Sequence, residues 1–182
     1  MPTSKTAGHC LPKGLCAGKV GASCGEGSYA YCTSIPANLP TLDLTKSAHA
    51  RGIFAGVEAK AGKSKQACAA AISTSLTEGG MQNYASSVVS SSKNYQHDAI
   101  GSDHDSVGLF QQRVAYYPNV ASDMSPKLAA EQFIAKVLKI KGWKTMDVGR
   151  LDQKVQVSAY PDRYEKNVAQ AHKICAAGGF TK

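Results

Sequence analysis

The chain has 182 residues, about one domain, and a globule near this size buries roughly 70% of the surface its unfolded chain exposes. Hydrophobic residues make up 43% and charged residues 19%, and no apolar run approaches the roughly 18 residues that span a bilayer, so neither a membrane-embedded nor a disordered chain is expected. The formal charge of +8 predicts an anionic partner or environment, or simply a solubilising surface. Nucleic acid is set aside, because the lysines are scattered, the arginines number four in all, and no recognised nucleic-acid motif occurs.

Residues 1–8 are polar and lack the apolar stretch of a secretory signal, so such a signal is expected to be absent or already removed. Six cysteines follow, with Cys10, Cys16, Cys24 and Cys32 close together and Cys68 and Cys175 far apart. None of the spacings is C-x-x-C and the nearest histidine, His9, is alone, so disulfides are expected rather than zinc. Fifteen connectivities are open; the clustering suggests two bridges within residues 10–32 and one between Cys68 and Cys175. The presence of bridges favours removal of a signal and an extracellular, secreted protein. Residues 1–40 are read as a disulfide-stapled segment of loops and short strands, one of them at 28–33, and residues 41–182 as the main domain.

From Lys46 the pattern becomes helical. Ala50, Ile53, Phe54 and Val57 recur at i, i+3, i+4 and i+7 before Gly62. A second, amphipathic helix places Cys68, Ala71, Ile72, Ser75 and Leu76 on one stripe and ends at Gly79-Gly80 in a left-handed cap. The region between Gly80 and Asn119 lacks helical period. Within it Gly101-Ser102-Asp103-His104-Asp105-Ser106 is an acidic turn, and 107–112 alternates as a half-buried strand would. Ser125-Pro126 opens a helix expected to reach about Lys141, with Phe133, Ile134, Val137 and Leu138 inward and Gly142 ending it. Trp143, just beyond, is expected in the core. A further segment at 149–159 stops before Pro161, and Pro161-Asp162 starts a last helix through Tyr164, Val168 and Cys175. The fold class expected is mainly α, of α+β type, with a small β-hairpin region.

Glu78 lies just inside a helix C-terminus, where the dipole disfavours a negative charge by roughly 0.3–1 kcal/mol. A general acid working near neutral pH needs roughly 2.3 kcal/mol, so burial against apolar groups must supply the larger part, and Leu76, Met81 and Tyr84 are the expected wall. The alternative reading of its position is a solvated terminal glutamate. One acid on the stiff end of a helix and others, Asp103 and Asp105, on a later loop is an arrangement suited to holding acids across a sugar chain.

These residues resemble goose-type lysozymes and lytic transglycosylases, in which a catalytic glutamate at a helix end is followed some thirty residues later by a G-L-M-Q-like strand. Glu78 matches the glutamate and Gly108-Leu109-Phe110-Gln111 the strand. Asp103, five residues before Gly108, lies close to the aspartate that positions the attacking water in the goose-type enzymes. A closer resemblance is to secreted fungal muramidases, glycoside hydrolase family 184, within the same lysozyme-like superfamily. It spans roughly 47–175, with its specific motifs at 70–80 and 101–113 and weaker support from Val155-Gln156-Val157-Ser158-Ala159-Tyr160. Two departures stand out: Pro161-Asp162-Arg163 replaces the asparagine-alanine-glycine that follows alanine-tyrosine in transglycosylases, which weakens any role for Tyr160, and Thr77-Glu78-Gly79 stands where those enzymes show glutamate-serine.

The resemblance implies a lysozyme-like helical domain that hydrolyses the β-1,4 bond between N-acetylmuramic acid and N-acetylglucosamine in bacterial peptidoglycan. Glu78 would be the general acid and Asp103, or its rival Asp105, the base, with inversion expected at a separation of about 6.5–9.5 Å and retention near 5 Å. In the transglycosylase alternative Glu78 serves as acid and base and the muramic acid's own hydroxyl attacks. Tyr84, Tyr95, Tyr116 and Tyr117 flank the motif as sugar-stacking candidates, with Gln111 and Gln112 as polar contacts. A basic protein suits bacterial walls, whose peptides and phosphate polymers are anionic. No cofactor is expected, and the default state is a monomer. Two readings of other classes remain: a metal site built from His97, Asp98, Asp103, His104 and Asp105, which lacks the glycine and terminal glutamate of an EF-hand loop, and a non-enzymatic wall-binding protein gripping through its cysteine-rich segment.

Overall fold

The computed structural model describes the backbone of 9–12, 17–23 and 29–34 and residues 37–102 and 104–182. The chain divides into two compact units, Met1–Ala48 and His49–Lys182. In the first, three strands, β1 (His9–Pro12), β2 (Ala17–Ser23) and β3 (Tyr29–Ser34), form an antiparallel sheet in the order β1-β3-β2. Cys10 stands opposite Tyr31 and Cys32 opposite His9. Cys16 and Cys24, and the bridges expected of all four cysteines, lie outside the described residues and side chains.

The second unit is mainly helical with small sheets. Helix α1 (Leu44–Ala61) contributes Ile53, Phe54 and Val57 to the core, where Phe54 packs on Phe180 with ring centroids 5.1 Å apart. Helix α2 (Lys65–Gly79) is capped by Ser64, whose hydroxyl accepts from Ala67 N. The single apolar stripe expected of α2 is corrected: every residue from Ala67 to Ser75 is buried. A helix covered on all sides needs small side chains, and Ala67, Ala69, Ala70 and Ala71 supply them. Cys68 bridges Cys175 of α6 (Glu165–Ala177), with Cα atoms 6.0 Å apart and both residues fully buried.

Between α2 and the next helices lie β4 (Tyr84–Ser86) and β5 (Ala99–Gly101), paired in parallel, and the antiparallel pair β6 (Ser106–Val107) and β7 (Gln112–Arg113). The strand expected over 107–112 is therefore a hairpin whose turn is 108–111. Gly108 and Gln111 both have positive φ, +76° and +47°, which no strand accommodates, and Val107, Leu109 and Phe110 are all fully buried rather than alternating. Gly108 is required: a Cβ there would fall 2.1 Å from the Asp123 carbonyl oxygen.

A short helix, α3 (Val120–Asp123), precedes α4 (Pro126–Val137), which Ser125 caps as expected. It ends four residues earlier than Lys141, and Leu138 is 39% exposed rather than inward. Residues 138–146 instead form successive turns, and Trp143 is half-exposed on a surface hollow rather than in the core. The Gln66 amide reaches the carbonyls of Trp143 and Met146, at 3.2 and 2.5 Å, and so draws this stretch onto the start of α2. Helix α5 (Val148–Gln156) starts at Asp147 and stops at Val157, in the left-handed region at φ 53°. A 3-10 turn at Pro161–Arg163 leads into α6.

Two buried carboxyls make the stability of this core pH-dependent. Asp152 accepts from the Ser73 hydroxyl, and burial holds its carboxyl well above the usual carboxylate range; burial likewise lifts Asp123 to about 6, against a hydrogen bond from Gln132. Each binds its proton more tightly folded than unfolded. Their stabilising contribution is complete below about pH 4 and is lost as pH rises toward the folded values. Protonated, Asp152 donates to Ser73 and frees the Ser73 hydroxyl for the Ala70 carbonyl 3.2 Å away. An asparagine there keeps a donor without a charge. Asp152→Asn is expected to match the wild type in thermal unfolding near pH 3 and to melt a few degrees higher at pH 7; a lower melting temperature at both would contradict this.

Candidate active site

The last turn of α2 carries Thr77 and Glu78. Gly80, at φ 61°, ends the helix in the expected left-handed cap, and the N–H groups of Gly80 and Met81 close on the carbonyls of Leu76 and Ser75. The turn beyond is fixed from elsewhere. His49 Nδ1 donates to the Met81 carbonyl at 3.0 Å, and Asp98 Oδ2 accepts from Asn83 N at 2.7 Å. Thr77 donates to the Ser73 carbonyl and accepts from Asn167 of α6, while Arg163 donates to the Thr77 carbonyl at 3.0 Å.

Glu78 is held by the same stretch. Its Oε1 accepts from the Tyr164 hydroxyl at 2.5 Å and from the Gln156 amide at 3.4 Å, and its Oε2 lies 3.7 Å from Arg163. Its side chain is 12% exposed. Gln156 also donates to the Phe110 carbonyl at 2.9 Å, which ties the hairpin turn to the glutamate. Burial of Tyr164, followed by its hydrogen bond and proximity to Glu78, raises its hydroxyl above the usual phenol range, so it stays a donor.

The apolar wall expected around Glu78 is corrected. Leu76 is two positions away on the helix, and residues two apart do not share a face. Met81 is fully buried, its sulfur accepting from Ser75, and Tyr84 packs beside Gly79 while donating to Gln82. The environment of the carboxylate is a cage of hydrogen-bond donors.

Glu78 opens on a cleft of about 590 Å³. It is lined by Ser106, Gln111, Gln112, Arg113, Tyr116, Tyr117 and Lys136 and by 155–158, Arg163 and Tyr164. The volume is in the range of small-molecule sites, roughly 300–1,000 Å³. Tyr116 is 75% exposed, a flat face open to a ligand. Among the described residues that line the cleft, Glu78 is the one carboxylate. Gln111, Gln112 and Tyr117 share its cleft. Tyr84 and Tyr95 do not line it.

Asp103 lies outside the described residues. Asp105 accepts at both oxygens, from Arg113 Nε at 2.5 Å and from Ala115 N at 2.7 Å, and the Arg113 guanidinium together with these bonds holds its carboxyl below the usual range. It braces the hairpin. Among the described residues no group of three His, Cys, Asp or Glu side chains could hold a metal ion.

Tyr164, Gln156 and Arg163 were not picked out from the sequence as site residues. The signal available was the run 155–160, whose motif tyrosine, Tyr160, is 73% exposed; the tyrosine that reaches Glu78 lies four residues further on. Val157 at positive φ is an outlier for a β-branched residue, and it sits where the chain turns between Gln156 and Tyr164. No protein-family model matches the chain, and no curated protein matches it in sequence.

Proposed function

We propose that the protein is a secreted muramidase of lysozyme-like fold, cleaving the β-1,4 bond between N-acetylmuramic acid and N-acetylglucosamine in bacterial peptidoglycan. The observation that carries this reading is a nearly buried carboxylate at a helix end, oriented by Tyr164 and Gln156, facing a cleft lined by the exposed Tyr116, the half-buried Tyr117 and the amide of Gln111. Oε1 is occupied by its two donors. Oε2 is then the oxygen that delivers the proton to the glycosidic oxygen. Both oxygens of Asp105 are engaged, which favours Asp103 over Asp105 as the base that activates water. Tyr116 offers a face for a sugar ring, Tyr117 the face that Lys136 does not cover, and Gln111 an amide for their substituents.

The test is clearance of a peptidoglycan suspension with mass spectrometry of the released fragments, using Glu78→Gln as control. Lysis with reducing-end N-acetylmuramic acid supports hydrolysis. Anhydro ends would assign the protein to the lytic transglycosylases acting through Glu78 alone. Binding to walls without lysis would leave a wall-binding protein.

A further inference from the structure

Three cations line the cleft that holds Glu78, and two are matched. Arg163 lies 3.7 Å from Glu78, and Arg113 donates to Asp105. Lys136, in the last turn of α4, is not: its ammonium sits 4.3 Å from the centroid of the Tyr117 ring, and no carboxylate among the described residues lies within ion-pair distance of it. The aromatic face limits the lysine's freedom, so part of the ordering cost of a further contact has been met in the free protein.

The surrounding sequence reinforces this. Between Glu131 and Asp147 the chain has no acidic residue and four lysines, Lys136, Lys139, Lys141 and Lys144. All four are exposed. Of these four, Lys136 is the one that lines the cleft, and the stretch that carries it supplies no counter-charge.

We infer that Lys136, seated on Tyr117, binds a carboxylate carried by the glycan near the scissile bond. Two sources share that chemistry: the lactyl carboxylate of muramic acid freed of its peptide, and the acidic residues of the attached peptide. The inference rests on the muramidase reading for the glycan, and it makes Lys136 a determinant of specificity for charged over neutral N-acetylglucosamine-containing chains.

Binding of soluble probes to Glu78→Gln and to Glu78→Gln with Lys136→Gln tests it without turnover. The probes are peptide-bearing glycan fragments, the same fragments with peptides removed by an amidase, fragments whose carboxylates have been converted to methylamides, and a neutral chitin oligosaccharide. Lys136→Gln is expected to weaken binding about three- to fivefold on a carboxylate-bearing probe, as an exposed ion pair would, and to leave the amidated and neutral probes unchanged. The difference should shrink between low and high salt, and Lys136→Arg should restore it. Whichever carboxylate-bearing probe shows the loss names the source. Equal weakening on all four probes, which would trace to packing on Tyr117, or no weakening on any, overturns the inference. If the wild type releases no fragments from walls yet the charge-dependent binding persists, hydrolysis falls and the role of Lys136 stands.

Discussion

Replacing Glu78 by glutamine is expected to slow wall lysis by about a thousandfold, the middle of the range that a positioned general acid contributes. The amide cannot deliver a proton to a departing sugar oxygen. The fold should tolerate the change. Glutamine keeps an oxygen for the Tyr164 hydroxyl now 2.5 Å from Oε1, and the contact given up with Arg163 is 3.7 Å long with Arg163 itself about a third exposed, a pair worth about 0–1 kcal/mol. Thermal unfolding of the variant within a few degrees of the wild type, together with near-complete loss of lysis, would separate chemistry from stability. Lysis at the wild-type rate would remove Glu78 from the reaction.

Loss of the Cys68–Cys175 bridge should be the largest single blow to stability. It closes a loop of 107 residues, for which loop-closure entropy predicts roughly 4–5 kcal/mol, with native strain able to lower the figure. The bridge joins the buried centre of α2 to α6, the same two elements whose junction holds Glu78 against Tyr164 and Thr77 against Asn167. For a domain of this size each kcal/mol moves the melting temperature by about 2–4 °C, so the Cys68→Ala, Cys175→Ala double variant should melt about 10–20 °C lower. The decrease should also follow reduction of the wild type under unfolding conditions. A melting temperature within about 3 °C of the wild type would mean that helix packing alone holds α2 and α6 together.

What could be read along the chain was what short-range forces govern. The cap at Ser125-Pro126 and the left-handed stop at Gly80 involve groups three to six residues apart, so their residue types alone announced the start of α4 and the end of α2 and placed Glu78 at a helix end. The period of Ala50, Ile53, Phe54 and Val57 announced α1 for the same reason. The isolation of Cys68 and Cys175 from the other cysteines suggested the pairing that the structure shows. Where the local pattern was ambiguous, tertiary packing decided. Alternation over 107–112 fits a strand as well as a buried turn, and the close approach of Asp123 to Gly108 selects the turn.

The candidate site itself was half legible. Glu78, Gln111, Gln112 and Tyr117 were picked out by residue type and position, but the groups that orient the glutamate, Gln156 and Tyr164, come from 78 and 86 residues away. No spacing rule reaches that far. The helix dipole and neighbouring apolar residues suggested a carboxylate in an apolar pocket, whereas the return of the chain at Val157 surrounds it with donors. Asp105 reads as an acid on a loop until the hairpin brings Arg113 against it. The sequence by itself determined that these helices form, the cap at Ser125, the stop at Gly80 and with it the position of Glu78, because each depends on contacts within a turn or two of the chain. Only the tertiary structure decided what surrounds Glu78 and which charges are matched, because those partners meet through packing of segments distant in sequence.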